Sequence, residues 1–127
     1  MAKVTGLGGV FYKVEDPERT RAWYREMLGI GGEWGAMFPW KDEAEAGEAY
    51  SLVSPFKAAS DYFDPSDARF MINLRVDDLG AMLAALADKG VELLGTQDEE
   101  YGKFAWILDC DGIKIELWQQ VGPLPAA

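Results

Sequence analysis

The side chains with the clearest chemical potential in this chain lie near its C-terminus, in the stretch 109–119. After an Asp-Gly turn, aliphatic residues alternate with a cation, a carboxylate and an indole, in the order Ile113, Lys114, Ile115, Glu116, Leu117 and Trp118. Alternate residues of a β-strand share a face, so Lys114 and Glu116 are predicted to lie together. Glu116 could serve as a metal ligand, a general base or a hydrogen-bond acceptor, or it could pair with a neighbouring cation.

The chain contains no histidine and a single cysteine, Cys110. The lack of histidine removes the commonest metal ligand and general base at neutral pH, and it excludes Ser-His-Asp and Cys-His mechanisms. One cysteine permits neither an internal disulfide nor a cysteine-rich zinc site. A metal site would therefore have to be built from carboxylates, which suits magnesium, calcium or manganese.

The overall composition narrows the range of partners. A net charge of −10 and a pI near 4.3 argue against binding to nucleic acid or to an anionic membrane. No apolar run approaches the roughly 20 residues of a membrane span, and the first ten residues lack the apolar core of a signal peptide. The expected location is the cytoplasm, and 49% apolar residues can build a sizeable core.

The elements that would position Glu116 recur along the chain. Asp16 is predicted to cap a helix whose first residue is Pro17, and Asp78 is predicted to cap a second helix. The two aspartates lie 78 − 16 = 62 residues apart, and Val14 and Val76 match at the same offset. Such internal repetition indicates two similar modules.

The repeat predicts an α+β protein made of two tandem βαβββ modules in one domain. The modules cover residues 1–55 and 70–121, and a linker rich in Ala, Ser and Asp, residues 56–69, joins them. The predicted strands cover residues 9–14, 33–40, 48–54, 70–76, 92–96, 102–108 and 113–119.

Each predicted sheet has an apolar face for the helices and a second, mixed face. The mixed face carries cationic, amide and aromatic groups beside Glu116, namely Phe11, Lys13, Asn73, Arg75, Lys114 and Trp118. It is either a wet outer surface or a small-molecule cleft. Lys13 and Arg75 occupy matching positions and could hold an anionic group of a ligand, or they could simply face solvent.

Three long motifs of this chain resemble those of the vicinal-oxygen-chelate superfamily, which includes glyoxalases, bleomycin-resistance proteins and extradiol dioxygenases. They are FYKVEDPERTRAWYREMLGI, INLRVDDLGAMLAALADKGVEL and DCDGIKIELWQ. The resemblance implies two modules whose sheets curl around a cleft, and it implies a homodimer. It also places Trp40 and Tyr50 in the cleft wall, unless they pack in the core. Tyr101, like Trp40, lies beside a predicted loop, where a ring more often meets a ligand.

The resemblance also implies where a metal would bind. Members that use a metal take ligands from the first strands of both modules, which here correspond to Gly9 and Met71, and from a later strand near residues 48–50. The last ligand corresponds to Glu116. Glycine offers no side chain, and a thioether is a poor ligand for hard ions. We therefore expect no metal cofactor and no metal-dependent glyoxalase or dioxygenase activity.

Two classes of function remain at this stage. The first is a metal-site-deficient relative that binds a small aromatic or anionic molecule without transforming it. The alternative is a metal-independent lyase, isomerase or hydrolase of the same superfamily in which Glu116 is the acid–base group. The expected cofactor is none in both cases.

Overall fold

The computed structural model describes residues 10, 12–33, 35–39, 49–52, 54 and 56–122. Its regular elements, in chain order, are α1 (Pro17–Leu28), β1 (Ile72–Arg75), α2 (Leu79–Asp88), β2 (Gly95–Glu99), β3 (Gly102–Leu108) and β4 (Lys114–Gln120). The last five elements form a βαβββ unit, as predicted for the second module. The predicted α+β class is confirmed. Neither helix of the described chain is long and apolar enough to cross a membrane.

The strands form one open, mixed sheet in the order β1-β4-β3-β2. Strand β1 runs parallel to β4, while β3 runs antiparallel to both β4 and β2. In this register Glu116 on β4 lies opposite Asn73 on one neighbouring strand and opposite Trp106 on the other. Facing residues of adjacent strands lie close enough for their side chains to interact, so the sheet itself assembles these three groups.

Both helices begin at the aspartates that the sequence predicts as their caps. The side chain of Asp16 accepts a hydrogen bond from the backbone of Arg19, and that of Asp78 accepts one from the backbone of Ala81. These contacts satisfy amide groups that have no partner inside the helix. Helix α1 ends at Gly29, whose φ of 69° lies in the left-handed region that glycine adopts without steric cost.

The core lies between the two helices and one face of the sheet. Its fully or nearly fully buried members are Tyr24, Leu28, Leu79, Leu86, Ala105, Ile107, Ile115 and Leu117. Residues of β3 and β4 alternate strictly, so that Ile115 and Leu117 face the helices while Glu116 faces the other way. The predicted assignment of the two faces is therefore confirmed for this sheet.

A polar network fixes helix α1 to the turn that precedes β4. The hydroxyl of Tyr24 donates to the buried carboxylate of Asp109 at 2.7 Å. The other oxygen of Asp109 accepts the backbone amides of Asp111 and Ile113 at 2.8 and 2.9 Å. Burial, together with the hydrogen bond to Asp109, raises the pKa of Tyr24. The helix of the first module is thus joined to the second module through the Asp-Gly turn.

In the three strands predicted for the first module, the described residues 10, 12–14, 33, 35–39, 49–52 and 54 are assigned to no strand, and the others lie outside the described part of the chain. One prediction about local structure is corrected. In the second module, the strand predicted at 92–96 is found at Gly95–Glu99, because β3 pairs with that later stretch.

Candidate ligand-binding face

The face of the sheet opposite the helices is centred on a buried carboxylate. Glu116 is 8% exposed, and its side chain accepts three hydrogen bonds from groups that carry no formal charge. Asn73 Nδ2 donates to Oε1 at 2.8 Å, while Trp106 Nε1 donates to Oε2 at 2.7 Å. The third donor is the hydroxyl of Tyr62, at 2.5 Å from Oε2. Hydrogen bonds to an ionised acceptor are the stronger kind, so these contacts offset part of the cost of burial.

Aromatic rings extend this face towards the end of β4. Trp118 is 3% exposed and stacks on Phe104, with ring centroids 6.3 Å apart and planes inclined by 2°. Tyr50 meets Trp118 edge to face at 4.9 Å, and the guanidinium carbon of Arg75 lies 4.8 Å from the centroid of the indole. Tyr101 meets Phe104 edge to face, with ring centroids 5.9 Å apart. A row of rings thus continues from the carboxylate along the sheet.

Gly102 makes room for the indole of Trp118. A Cβ atom at this position would lie 2.5 Å from Trp118 Nε1, which is closer than two such atoms can approach. The indole N–H is buried and has no hydrogen-bond partner among the described residues. The close packing against a backbone without a side chain therefore fixes the position of the ring.

Replacing Gly102 with alanine should displace this indole and lower the free energy of unfolding by about 1–3 kcal/mol, the usual range for overpacking. Urea unfolding followed by tryptophan fluorescence measures the change. Gly80→Ala is the matched control, because its Cβ would meet only Asp78 Oδ1 at an ordinary 3.7 Å. The control should be neutral or slightly stabilising, since alanine in a helix restricts the unfolded chain. Equal effects of the two substitutions would contradict the packing described for Trp118.

Part of the segment that the sequence predicts to be a linker packs on this face. We call residues 56–69 the covering segment. Within it, the ring of Tyr62 meets Trp106 edge to face at 6.0 Å. Lys114, itself 9% exposed, donates to the backbone carbonyl of Tyr62 at 2.5 Å. Burial lowers the pKa of the Lys114 ammonium. The one signal in the sequence was the presence of three aromatic residues, Phe56, Tyr62 and Phe63, in a segment otherwise typical of a linker.

The structure brings most of the predicted site residues together. The group on or beside the described face consists of Tyr50, Asn73, Arg75, Tyr101, Lys114, Glu116 and Trp118. Lys13 is exposed, and no salt bridge in the described chain joins it to Glu116. That Lys13 and Arg75 hold a ligand together stays a prediction. Phe11 and Trp40 lie outside the described residues.

The described residues of this face do not fit a divalent metal ion, while Gly9 and residue 48 of the predicted ligand set lie outside the described part of the chain. Both oxygens of Glu116 already accept hydrogen bonds from N–H and O–H donors, which a cation would have to displace. Met71 offers only a thioether, and the ring of Tyr50 is packed on Trp118. Among the described residues, no three aspartate, glutamate or cysteine side chains are grouped so that they could hold an ion.

Comparison with known families agrees with this architecture. The sequence profile of the Glyoxalase/Bleomycin resistance protein/Dioxygenase superfamily matches residues 6–117. The chain therefore belongs to this superfamily. No curated protein matches it closely enough to count as a relative.

Several solved structures share the fold. TnmS3, an antibiotic binding protein from Streptomyces sp. CB03234, is 27% identical, with a TM-score of 0.53, over 85% of this chain and 89% of its own. A glyoxalase family protein from Bacillus cereus is 20% identical, with a TM-score of 0.56, over 95% and 97% of the two chains. An integron cassette protein from the mobile metagenome of V. cholerae is 18% identical, with a TM-score of 0.58, over 94% and 98%.

Proposed function

We propose that this protein binds a small aromatic molecule on the face centred on Glu116 and uses no metal in doing so. The observation that carries the proposal is a buried carboxylate that accepts three uncharged donors beside a row of aromatic rings. Flat rings offer a ligand large apolar contact area, and one charged acceptor fixes its orientation.

The similarity to TnmS3 supports a binding role, because that protein is described as an antibiotic binding protein. An aromatic antibiotic is one ligand that such a face could accept. The acid–base alternative is less well supported. Both oxygens of Glu116 are engaged by donors, two of which, the indole of Trp106 and the amide of Asn73, do not exchange protons with a substrate at neutral pH. The guanidinium of Arg75 lies over the indole of Trp118, where it adds a cation–π contact to the row of rings.

A thermal-shift screen of aromatic metabolites and antibiotics tests the proposal. A ligand that binds the folded state raises the melting temperature by mass action. Each compound that does so is then measured by calorimetry against Glu116→Gln, which keeps the size of the side chain and removes its charge. Glu100→Gln is the control, because Glu100 is exposed at the turn between β2 and β3.

Binding should weaken about tenfold in Glu116→Gln, in line with the roughly 1.5 kcal/mol or more of a hydrogen bond to a charged group. The Glu100→Gln protein should bind like the parent. Ligands that bind both variants equally would place the binding surface elsewhere. Turnover of a bound compound by the parent, abolished in Glu116→Gln, would instead favour the enzymatic alternative.

The absence of a metal requirement is a separate prediction. Elemental analysis after purification without chelators should find far less than one equivalent of zinc, iron, nickel or manganese per chain. Treatment with EDTA should leave the melting temperature unchanged, because no structural contact of Glu116 described above requires an ion. A stoichiometric metal that is lost together with stability on chelation would refute the prediction.

A further inference from the structure

Tyr62 makes the contacts that a bound aromatic molecule would make on the proposed face. Its hydroxyl donates to Glu116 Oε2 at 2.5 Å, and its ring meets Trp106 edge to face. The ammonium of Lys114 lies 5.1 Å from the centroid of the Tyr62 ring, within the range of a cation–π contact. Tyr62 alone thus contacts the Glu116 carboxylate, the ring of Trp106 and the ammonium of Lys114.

The covering segment is folded on itself and is attached to the sheet by few polar contacts. Its backbone hydrogen bonds are local, from Ser60 to Lys57, from Asp64 to Asp61 and from Ser66 to Phe63. The hydrogen bonds described between the segment and the sheet both involve Tyr62, one through its hydroxyl and one through its carbonyl. The segment can therefore leave the sheet without breaking a strand ladder.

Tyr62 also belongs to a cluster of three aromatic rings within the covering segment. The rings of Phe56 and Phe63 lie 5.4 and 6.5 Å from that of Tyr62, and 5.1 Å from each other. Phe56 remains 46% exposed, and a hollow of about 500 Å³ beside it is lined by Ser54 and by residues of the covering segment. The ring of Tyr62 thus belongs to an aromatic cluster that is itself partly open to solvent.

We propose that Tyr62 is an internal ligand, and that the molecules this face takes are phenols, which displace the Tyr62 side chain from Glu116. This inference rests on the proposed function and names its ligand class. A phenol reproduces the ring and the hydroxyl donor of Tyr62. A benzoate would bring a second carboxylate against Glu116, where like charges at short range repel. An aryl methyl ether keeps the ring but has no donor for the carboxylate.

The test uses 4-methylphenol, which is the side chain of tyrosine without its backbone, with 4-methylanisole and 4-methylbenzoate as comparison compounds. Calorimetry or the shift of the Trp106 indole N–H resonance measures their affinity for the parent, for Tyr62→Ala and for Asp67→Ala. Asp67 is exposed in the same segment, and its substitution alters the surface without touching Glu116 or the hollow beside Phe56.

If Tyr62 contacts Glu116 in about nine tenths of the molecules or more, Tyr62→Ala should raise the apparent affinity for 4-methylphenol about tenfold or more. The Asp67→Ala protein should behave like the parent, and the two comparison compounds should gain little from Tyr62→Ala. Tyr62→Phe is the second variant. It keeps the ring and its packing but loses the hydroxyl, and it should show a smaller gain of the same sign.

Equal affinity of 4-methylphenol for the parent and both Tyr62 variants would overturn the internal-ligand proposal. If Glu116→Gln nevertheless weakened the binding of 4-methylphenol, the proposed binding face would be retained. A gain for 4-methylbenzoate as large as that for 4-methylphenol would overturn the assignment to phenols. If no aromatic compound of the wider screen bound the parent in a manner sensitive to Glu116→Gln, the proposed function would fail as well.

Discussion

Replacing Leu117 with alanine should lower the free energy of unfolding by about 2–5 kcal/mol. Leu117 is fully buried at the centre of β4, between the helices and the sheet. The substitution removes apolar contacts and leaves a cavity that the flanking strands cannot close. Urea unfolding followed by circular dichroism gives the difference, with an unchanged m-value indicating that the two-state treatment holds.

Leu93→Ala is the matched control for this prediction. The same atoms are removed, but Leu93 is 45% exposed in the connection before β2. The loss of the Leu93 side chain should lower the free energy of unfolding by well under half as much, because little buried apolar surface is lost. A Leu117→Ala protein no less stable than Leu93→Ala would show that the face assigned to the core is wrong.

Raising the pH above 10 should destabilise the protein steeply. Burial raises the pKa of Tyr24, and also that of Tyr62 and Tyr12, above the ordinary value of 10.0. Above pH 10 the unfolded chain loses these protons while the folded chain keeps them, so deprotonation favours unfolding. For the buried Tyr24 alone, the free energy of unfolding should fall by up to about 1.4 kcal/mol per pH unit.

Tyr24→Phe separates this contribution from the others. At neutral pH the variant should be less stable than the parent, by about 1.5–3 kcal/mol, because Asp109 loses a hydrogen bond. Above pH 10 its stability should fall less steeply, so the two curves of stability against pH converge. Tyr101→Phe, in which the altered ring is 50% exposed, is the control and should keep the slope of the parent. Parallel curves for the parent and Tyr24→Phe would refute the explanation.

The features that the sequence predicts well are those set by near neighbours in the chain. Asp16 and Asp78 cap their helices because the capping oxygen reaches an amide three residues ahead. The faces of β4 follow from strict alternation between Glu116 and its aliphatic neighbours Ile115 and Leu117. Both rules act within a few residues and need no knowledge of distant contacts.

The features that the sequence does not predict depend on pairing between distant segments. That Asn73 and Trp106 flank Glu116 follows from the register of β1 and β3 on β4, which alternation alone leaves undetermined. The position of Tyr62 was missed because a segment rich in alanine, serine and aspartate is typical of a linker. The place of Lys13 in the repeat predicts that it matches Arg75, but the repeat does not specify which segment residues 12–14 would pair with.

The alternation of faces along β3 and β4 has a consequence for how this protein could diversify. The residues that build the core, such as Ala105 and Leu117, and those that form the proposed binding face, such as Trp106 and Glu116, are immediate neighbours in the chain but contact different surroundings. A substitution at position 73 or 106 would alter the groups around the carboxylate while leaving the packing against the helices unchanged. Selection for a new ligand can therefore act on one set of codons while selection for folding acts on the codons between them.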